Sequence, residues 1–133
     1  MSEENVETVR RAWQAFVTGG IEASFDFWTE ECIFEDFREL PESAVYVGRT
    51  GLTEAVEHFT EMWSDLSWEP LEFIDAGENR VIAVIGMRGK GGTSGAPMDA
   101  RAAWLYEMRS GRVSGAKAFT SKQEALKAAG LSE

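Results

Sequence analysis

Apolar residues recur at three- and four-residue steps from the start of the chain: Val6, Val9, Trp13, Phe16 and Val17 follow Ser2, and Gly19-Gly20 ends the pattern. This spacing predicts an amphipathic helix closed by glycine. A short second helix is expected next, with Ile21, Phe25 and Trp28 on one face. The stretch Glu31-Cys32-Ile33-Phe34-Glu35-Asp36-Phe37 then reads as a strand. Beyond a loop around Pro41, Gly48-Arg49-Thr50-Gly51 precedes Leu52, Ala55, Val56, Phe59, Met62, Trp63 and Leu66, which form one further helical stripe.

After this point the period changes. Trp68 to Ile74, Arg80 to Arg88, Pro97 to Arg109 and Arg112 to Thr120 are β-rich runs separated by turn-forming segments, as antiparallel strands would be. Ser121-Lys122-Gln123-Glu124 has the spacing of a capping box and opens a short helix running to Gly130. Helices grouped ahead of hairpin-linked strands predict an α+β domain, with three helices from the N-terminal half packed on one face of a curved antiparallel sheet. In residues 81–87, VIAVIGM, both alternating sets are apolar, so this strand should be covered on both faces. A second subunit is the expected cover, giving a homodimer through the sheet face.

The strand ECIFEDF carries adjacent carboxylates among aromatics. Alternation sends Glu35 and Asp36 to opposite faces, so one acid looks inward. Asp36, in phase with Phe34, is the inward candidate, and Glu35 belongs at the surface or a dimer contact. A carboxylate shielded from water beside a carbonyl compound can act as a general base. An ion pair with Arg38, Arg49 or Arg101 would explain Asp36 without chemistry. His58, the single histidine, lies beside the apolar stripe of the long helix and is a second acid/base candidate. Trp28, Phe34, Phe59, Trp63 and Trp104 should converge as core or as the lining of an apolar pocket, with Tyr106 as a phenolic donor.

Composition narrows the partners. The 133 residues suit one domain spanning 1–133, and 44% apolar content with five Trp and eight Phe suits a packed core. A formal charge of −10 opposes nucleic acid and anionic membrane surfaces. The acidic N-terminus and the lack of a long apolar run suit neither export nor membrane insertion. One Cys and one His are too few for a structural zinc site, and an unpaired Cys32 fits a reducing cytoplasm. No metal or cofactor is expected. The segment from Gly89 to Gly95 lacks the Gly-Lys-Ser/Thr ending of a phosphate loop and reads as a hairpin.

The segments TGGIEASFDFW, TEECIFED, YVGRTGL, YEMRSGRV and FTSKQEALKAAGL together cover nearly the whole chain. In their order and spacing they resemble the SnoaL-like and ketosteroid-isomerase-like branch of the nuclear transport factor 2-like superfamily. The resemblance implies a cone-shaped α+β fold around a pocket for a small hydrophobic molecule, in a branch holding isomerases, cyclases, dehydratases, epoxide hydrolases and binding domains. Glu35-Asp36 matches the Glu-Asp pair whose Asp shuttles a proton in the steroid isomerases, opposite a donor pair that stabilises the oxyanion. In this register Ala12 stands at the donor tyrosine, beside Trp13, and Trp104 falls near the second acid. Phe119-Thr120-Ser121 replaces the Tyr-x-Asp that ends many small relatives. The implied activity is proton transfer on a hydrophobic carbonyl substrate, with Asp36 as base and Trp104 or Tyr106 as donor. A non-catalytic ligand-binding domain is the alternative. Water addition to an epoxide is a third reading and requires Asp99 and Arg101 to face inward.

Overall fold

The computed structural model describes residues 2–39, 44–92 and 94–131, so the loop around Pro41 lies outside the described residues. Helix α1 (Ser2–Gly19) leads through a 3₁₀ helix (Ile21–Phe27) into β1 (Trp28–Glu35) and β2 (Val45–Val47). Helix α2 (Gly48–Thr60) is followed by β3 (Trp63–Gly77), β4 (Arg80–Gly91), β5 (Pro97–Arg109), β6 (Arg112–Phe119) and α3 (Lys122–Ala128). The strands form one six-stranded sheet in the order β2-β1-β6-β5-β4-β3. Neighbours are antiparallel except β1 and β6, which run parallel. The fold is α+β, as the period change predicts.

Gly20 ends α1 in the left-handed region at φ 86°, and its N–H closes onto Phe16 O at 2.9 Å. Val9, Ala12 and Trp13 are buried beneath this helix, whereas Val17 is exposed and does not belong to the buried stripe. The second helix is 3₁₀, and Trp28 opens β1 instead of ending that helix. The three-residue β2 was too short to leave a period in the sequence; its Tyr46 ring stacks on Phe34 at 6.3 Å.

The largest departure lies at the end of α2. The helix begins at Gly48, within the glycine segment expected to precede it, and stops at Thr60, so Met62, Trp63 and Leu66 are not helical. Asp65 takes φ 54°, which a right-handed helix does not admit, and Trp63 pairs with Gly91 as the first residue of β3. The apolar spacing of 62–66 fits a helix and a strand start equally well, which is why periodicity misassigned it.

On the inner face of the sheet, large side chains are flanked by small ones. Trp104 sits between Ala83 and Ala118, and Tyr106 between Val81 and Ala116. On the outer face, Ile82, Val84, Ala103 and Leu105 pack with Ala125, Leu126 and Ala129 of the C-terminal segment. The double-sided burial of β4 thus arises within the chain, because α3 folds back over it. Ser121 Oγ accepts the Glu124 N–H at 3.1 Å at the start of α3, and Gly130, at φ 79°, ends it.

Candidate functional site

Helices and sheet line a partly open cavity of about 90 Å³. Helix α1 contributes Ala12, Trp13 and Phe16 to its wall, the 3₁₀ helix contributes Ile21 and Ser24, and β1 contributes Trp28 and Phe34. Asp36 and Phe37 follow at the end of β1, facing Leu52, Ala55, Val56 and Phe59 of α2. Trp68, Trp104 and Tyr106 complete the wall from the sheet. The rings form one contact network: Trp13 meets Trp104 at 5.3 Å, Phe37 meets Trp104 at 5.6 Å, and Phe59 meets Trp68 at 5.6 Å. Such a wall favours a flat apolar ligand.

Asp36 is the carboxylate of this cavity and is only 5% exposed. Cys32, Phe34 and Asp36 share the inner side of β1, while Glu35 faces out and meets Lys117 at 3.7 Å. Phe37 is also buried, because β1 ends at Glu35 and strict alternation ends with it. The Phe37 N–H donates to Asp36 Oδ1 at 2.8 Å. Burial raises the carboxyl pKa above its ordinary 3.8, outweighing the Phe37 hydrogen bond and the charge of His58, which both lower it. None of the three arginines considered as partners pairs with Asp36 among the described residues. Arg38 and Arg101 are exposed, and Arg49 Nη2 donates to Trp28 O at 2.9 Å, tying α2 to the start of β1.

His58 is half-buried on α2 and reaches Asp36 only through its charge, without lining the cavity. Trp63, expected in the pocket, is displaced from it by the early end of α2; it meets Phe59 at 6.4 Å from the start of β3. Trp28, Phe34, Phe59, Trp104 and Tyr106 do line the cavity. Periodicity missed the contribution of Trp13, Phe16 and Trp68: their stripes mark burial, and burial beside a cavity looks the same in sequence as burial in a core. Asp99 and Arg101 are exposed, and Asp99 lies 3.6 Å from Arg88, so the inward pair needed for water addition is absent.

Tyr106 is 4% exposed, and burial pushes its phenol pKa upward, keeping it a proton donor. The Trp13 indole pulls that pKa partly back, and its buried N–H has no hydrogen-bond partner among the described residues. Cys32 is buried, and burial raises its thiol pKa against the opposing pull of its own amide and of Arg49. Among the described residues no group of three His, Cys, Asp or Glu side chains could hold a metal ion, and no helix is long and apolar enough to cross a membrane.

Solved structures repeat this architecture. Bal32a from a soil-derived mobile gene cassette is 20% identical over 93% of this chain and 94% of its own, with a TM-score of 0.77. A candidate SnoaL-like polyketide cyclase from Jannaschia sp. CCS1 is 18% identical over 99% of this chain and 94% of its own, with a TM-score of 0.73. A protein of ketosteroid isomerase-like fold from Catenulispora acidiphila DSM 44928, solved with trimethylamine, is 17% identical over 92% of each chain, with a TM-score of 0.69. No curated protein matches the chain. The family model of the SnoaL-like domain matches residues 9–116, which run from within α1 through most of β6 and hold every cavity-lining residue, and the chain belongs to that family.

Proposed function

We propose that this protein binds a small, neutral, hydrophobic carbonyl compound in the cavity and moves a proton on it, as an isomerase or cyclase does. The observation that carries this reading is Asp36: a buried carboxyl in an aromatic wall, with its pKa raised by burial and no cation paired with it among the described residues. Raising a carboxyl pKa toward working pH strengthens it as a base. Asp36 would take a proton from a carbon beside the carbonyl, the C–H electrons would move onto the carbonyl oxygen, and the proton would return to the same or another carbon. Tyr106, held protonated, would donate to that oxygen.

Size limits the substrate. A cavity of about 90 Å³ is smaller than the ~150 Å³ apolar cavity known to hold benzene, so the reading favours a ligand of about one ring over a four-ring skeleton. Modest side-chain movement would seat it.

Incubation with cyclohexanone in D₂O tests the proposal. Deuterium should enter the α positions faster than in buffer, with a rate that rises with pH as Asp36 ionises, and Asp36→Asn should lower the protein-dependent rate by 100-fold or more, the scale of about 10²–10⁴ for general-base catalysis. Equal exchange by both proteins would sink the base assignment.

Ala12 at the cavity wall favours a second reading, because the small side chain leaves no donor where the isomerases carry tyrosine. A binding domain would take up cyclohexanone equally in both proteins and exchange nothing. The outer face supports a homodimer as well. Ile33, Val45 and Val47 lie exposed together at the β1–β2 end, where α3 does not reach, beside Glu35, Glu107 and Lys117, whose mixed charges suit pairing with a second copy. Unpaired, buried Cys32 is compatible with a reducing cytoplasm.

A further inference from the structure

Three buried side-chain nitrogens lack a partner among the described residues: Trp13 Nε1, Arg49 Nε and Trp63 Nε1. Only Trp13 also lines the cavity. An unpaired buried donor carries a desolvation cost of about 1–3 kcal/mol, which a ligand acceptor can relieve. Trp13 is 8% exposed, so bulk water does not satisfy its indole. Tyr106 lines the same wall, is itself buried and is kept protonated.

We propose that the Trp13 indole N–H and the Tyr106 hydroxyl form a donor pair that anchors the oxygen of a small neutral carbonyl ligand. The pair is built from α1 and β5, and it supplies the donor that Ala12 does not. Both groups give hydrogen bonds without carrying charge, so they suit a carbonyl or enol oxygen more than a carboxylate or phosphate. Asp36 in the same cavity adds a group that repels anions once ionised. The site therefore selects ketones and related neutral oxygen acceptors over both hydrocarbons and acids. This rests on the carbonyl-binding part of the proposed function and not on proton transfer.

The test compares cyclohexanone with cyclohexene, which has a similar ring and no oxygen acceptor. In the wild-type protein, with indole signals assigned by NMR, saturation with cyclohexanone should move the Trp13 indole proton downfield, and cyclohexene should not. Trp13→Phe should weaken cyclohexanone binding about ten-fold, the size of one ordinary hydrogen bond, and leave cyclohexene binding within two-fold. Tyr106→Phe should act in the same direction. Equal responses to the two probes, or no binding of either at 10 mM, would overturn the donor pair. So would tighter binding of tetramethylammonium than of cyclohexanone, because the aromatic wall would then be a cation cage. Ketone-selective binding without deuterium exchange leaves the donor pair standing and removes only the proton transfer. Exchange that survives Trp13→Phe, with no ketone preference, removes only the donor pair.

Discussion

Asp36 links the sequence to the site most directly, and its burial has a measurable consequence for stability. The folded carboxyl has a pKa above 3.8, so between 3.8 and the folded value the native state binds more protons than the unfolded chain. Stability falls as pH rises through that window and stays reduced above it, by about 1.4 kcal/mol for each pH unit of elevation. Asp36→Asn removes the ionisation and can still accept the Phe37 N–H. The variant should melt above wild type at pH 7 and level with it below pH 3.8, as thermal melts at the two pH values will show. An equal or lower melting temperature at pH 7 would mean that the carboxylate is solvated or paired. The inward direction of Asp36 was legible from its phase with Phe34. The absence of an arginine partner was not, because Arg49 is drawn away by a backbone carbonyl distant in sequence.

At the scale of elements, turns set the register that brings Trp104 and Tyr106 to the inner face. Glu78 and Asn79 join β3 to β4 with φ 54° and 61°, and Ser110 and Gly111 join β5 to β6 with φ 53° and 80°. These two-residue loops have the positive φ values that fit the right-handed twist of the strands. Glu78 is the least suited of the four, since a side chain without a short polar group gains little in this region. Glu78→Asn should stabilise the protein by about 0.5–1 kcal/mol, read as a higher midpoint in urea with an unchanged slope. No gain would mean that the exposed contact between Glu78 and Arg80, at 3.7 Å, outweighs the turn. Asn79 should be kept, because its carbonyl accepts the Met108 N–H at 2.8 Å. The DAGEN and RSGR segments announced both turns. The end of α2 was hidden, because a helical stripe and the start of β3 share the same apolar residues and only Asp65's backbone separates them.

The whole molecule divides its sheet between two tasks. The inner face holds the aromatic cavity, and the outer face is covered by α3 over Ile82, Val84 and Leu105. This removes β4 as a reason for a second subunit and moves the question to Ile33, Val45 and Val47, of which Val45 and Val47 are 60% and 63% exposed. If a second copy covers them, light scattering after size-exclusion chromatography should give twice the 14.8 kDa chain mass, and Val47→Asp should return it to a monomer without unfolding it. A wild-type monomer at 100 µM would end the dimer proposal. The charge of −10 opposes association, so raising salt should favour the dimer.

By itself the sequence determined the class of fold, the helix order, five of the six strands, the capped C-terminal helix and the inward acid. These depend on period, turn chemistry and alternation, which act between residues close in the chain. Only the tertiary structure decided that the aromatic stripes surround a cavity, that α3 folds back over β4, and that Trp13 on the first helix and Tyr106 on the fifth strand line the same wall. Those outcomes depend on which faces meet across long separations, where the space left between side chains has no local signal. Hydrophobic pattern states that a residue is buried, and packing decides whether it borders a neighbour or a ligand.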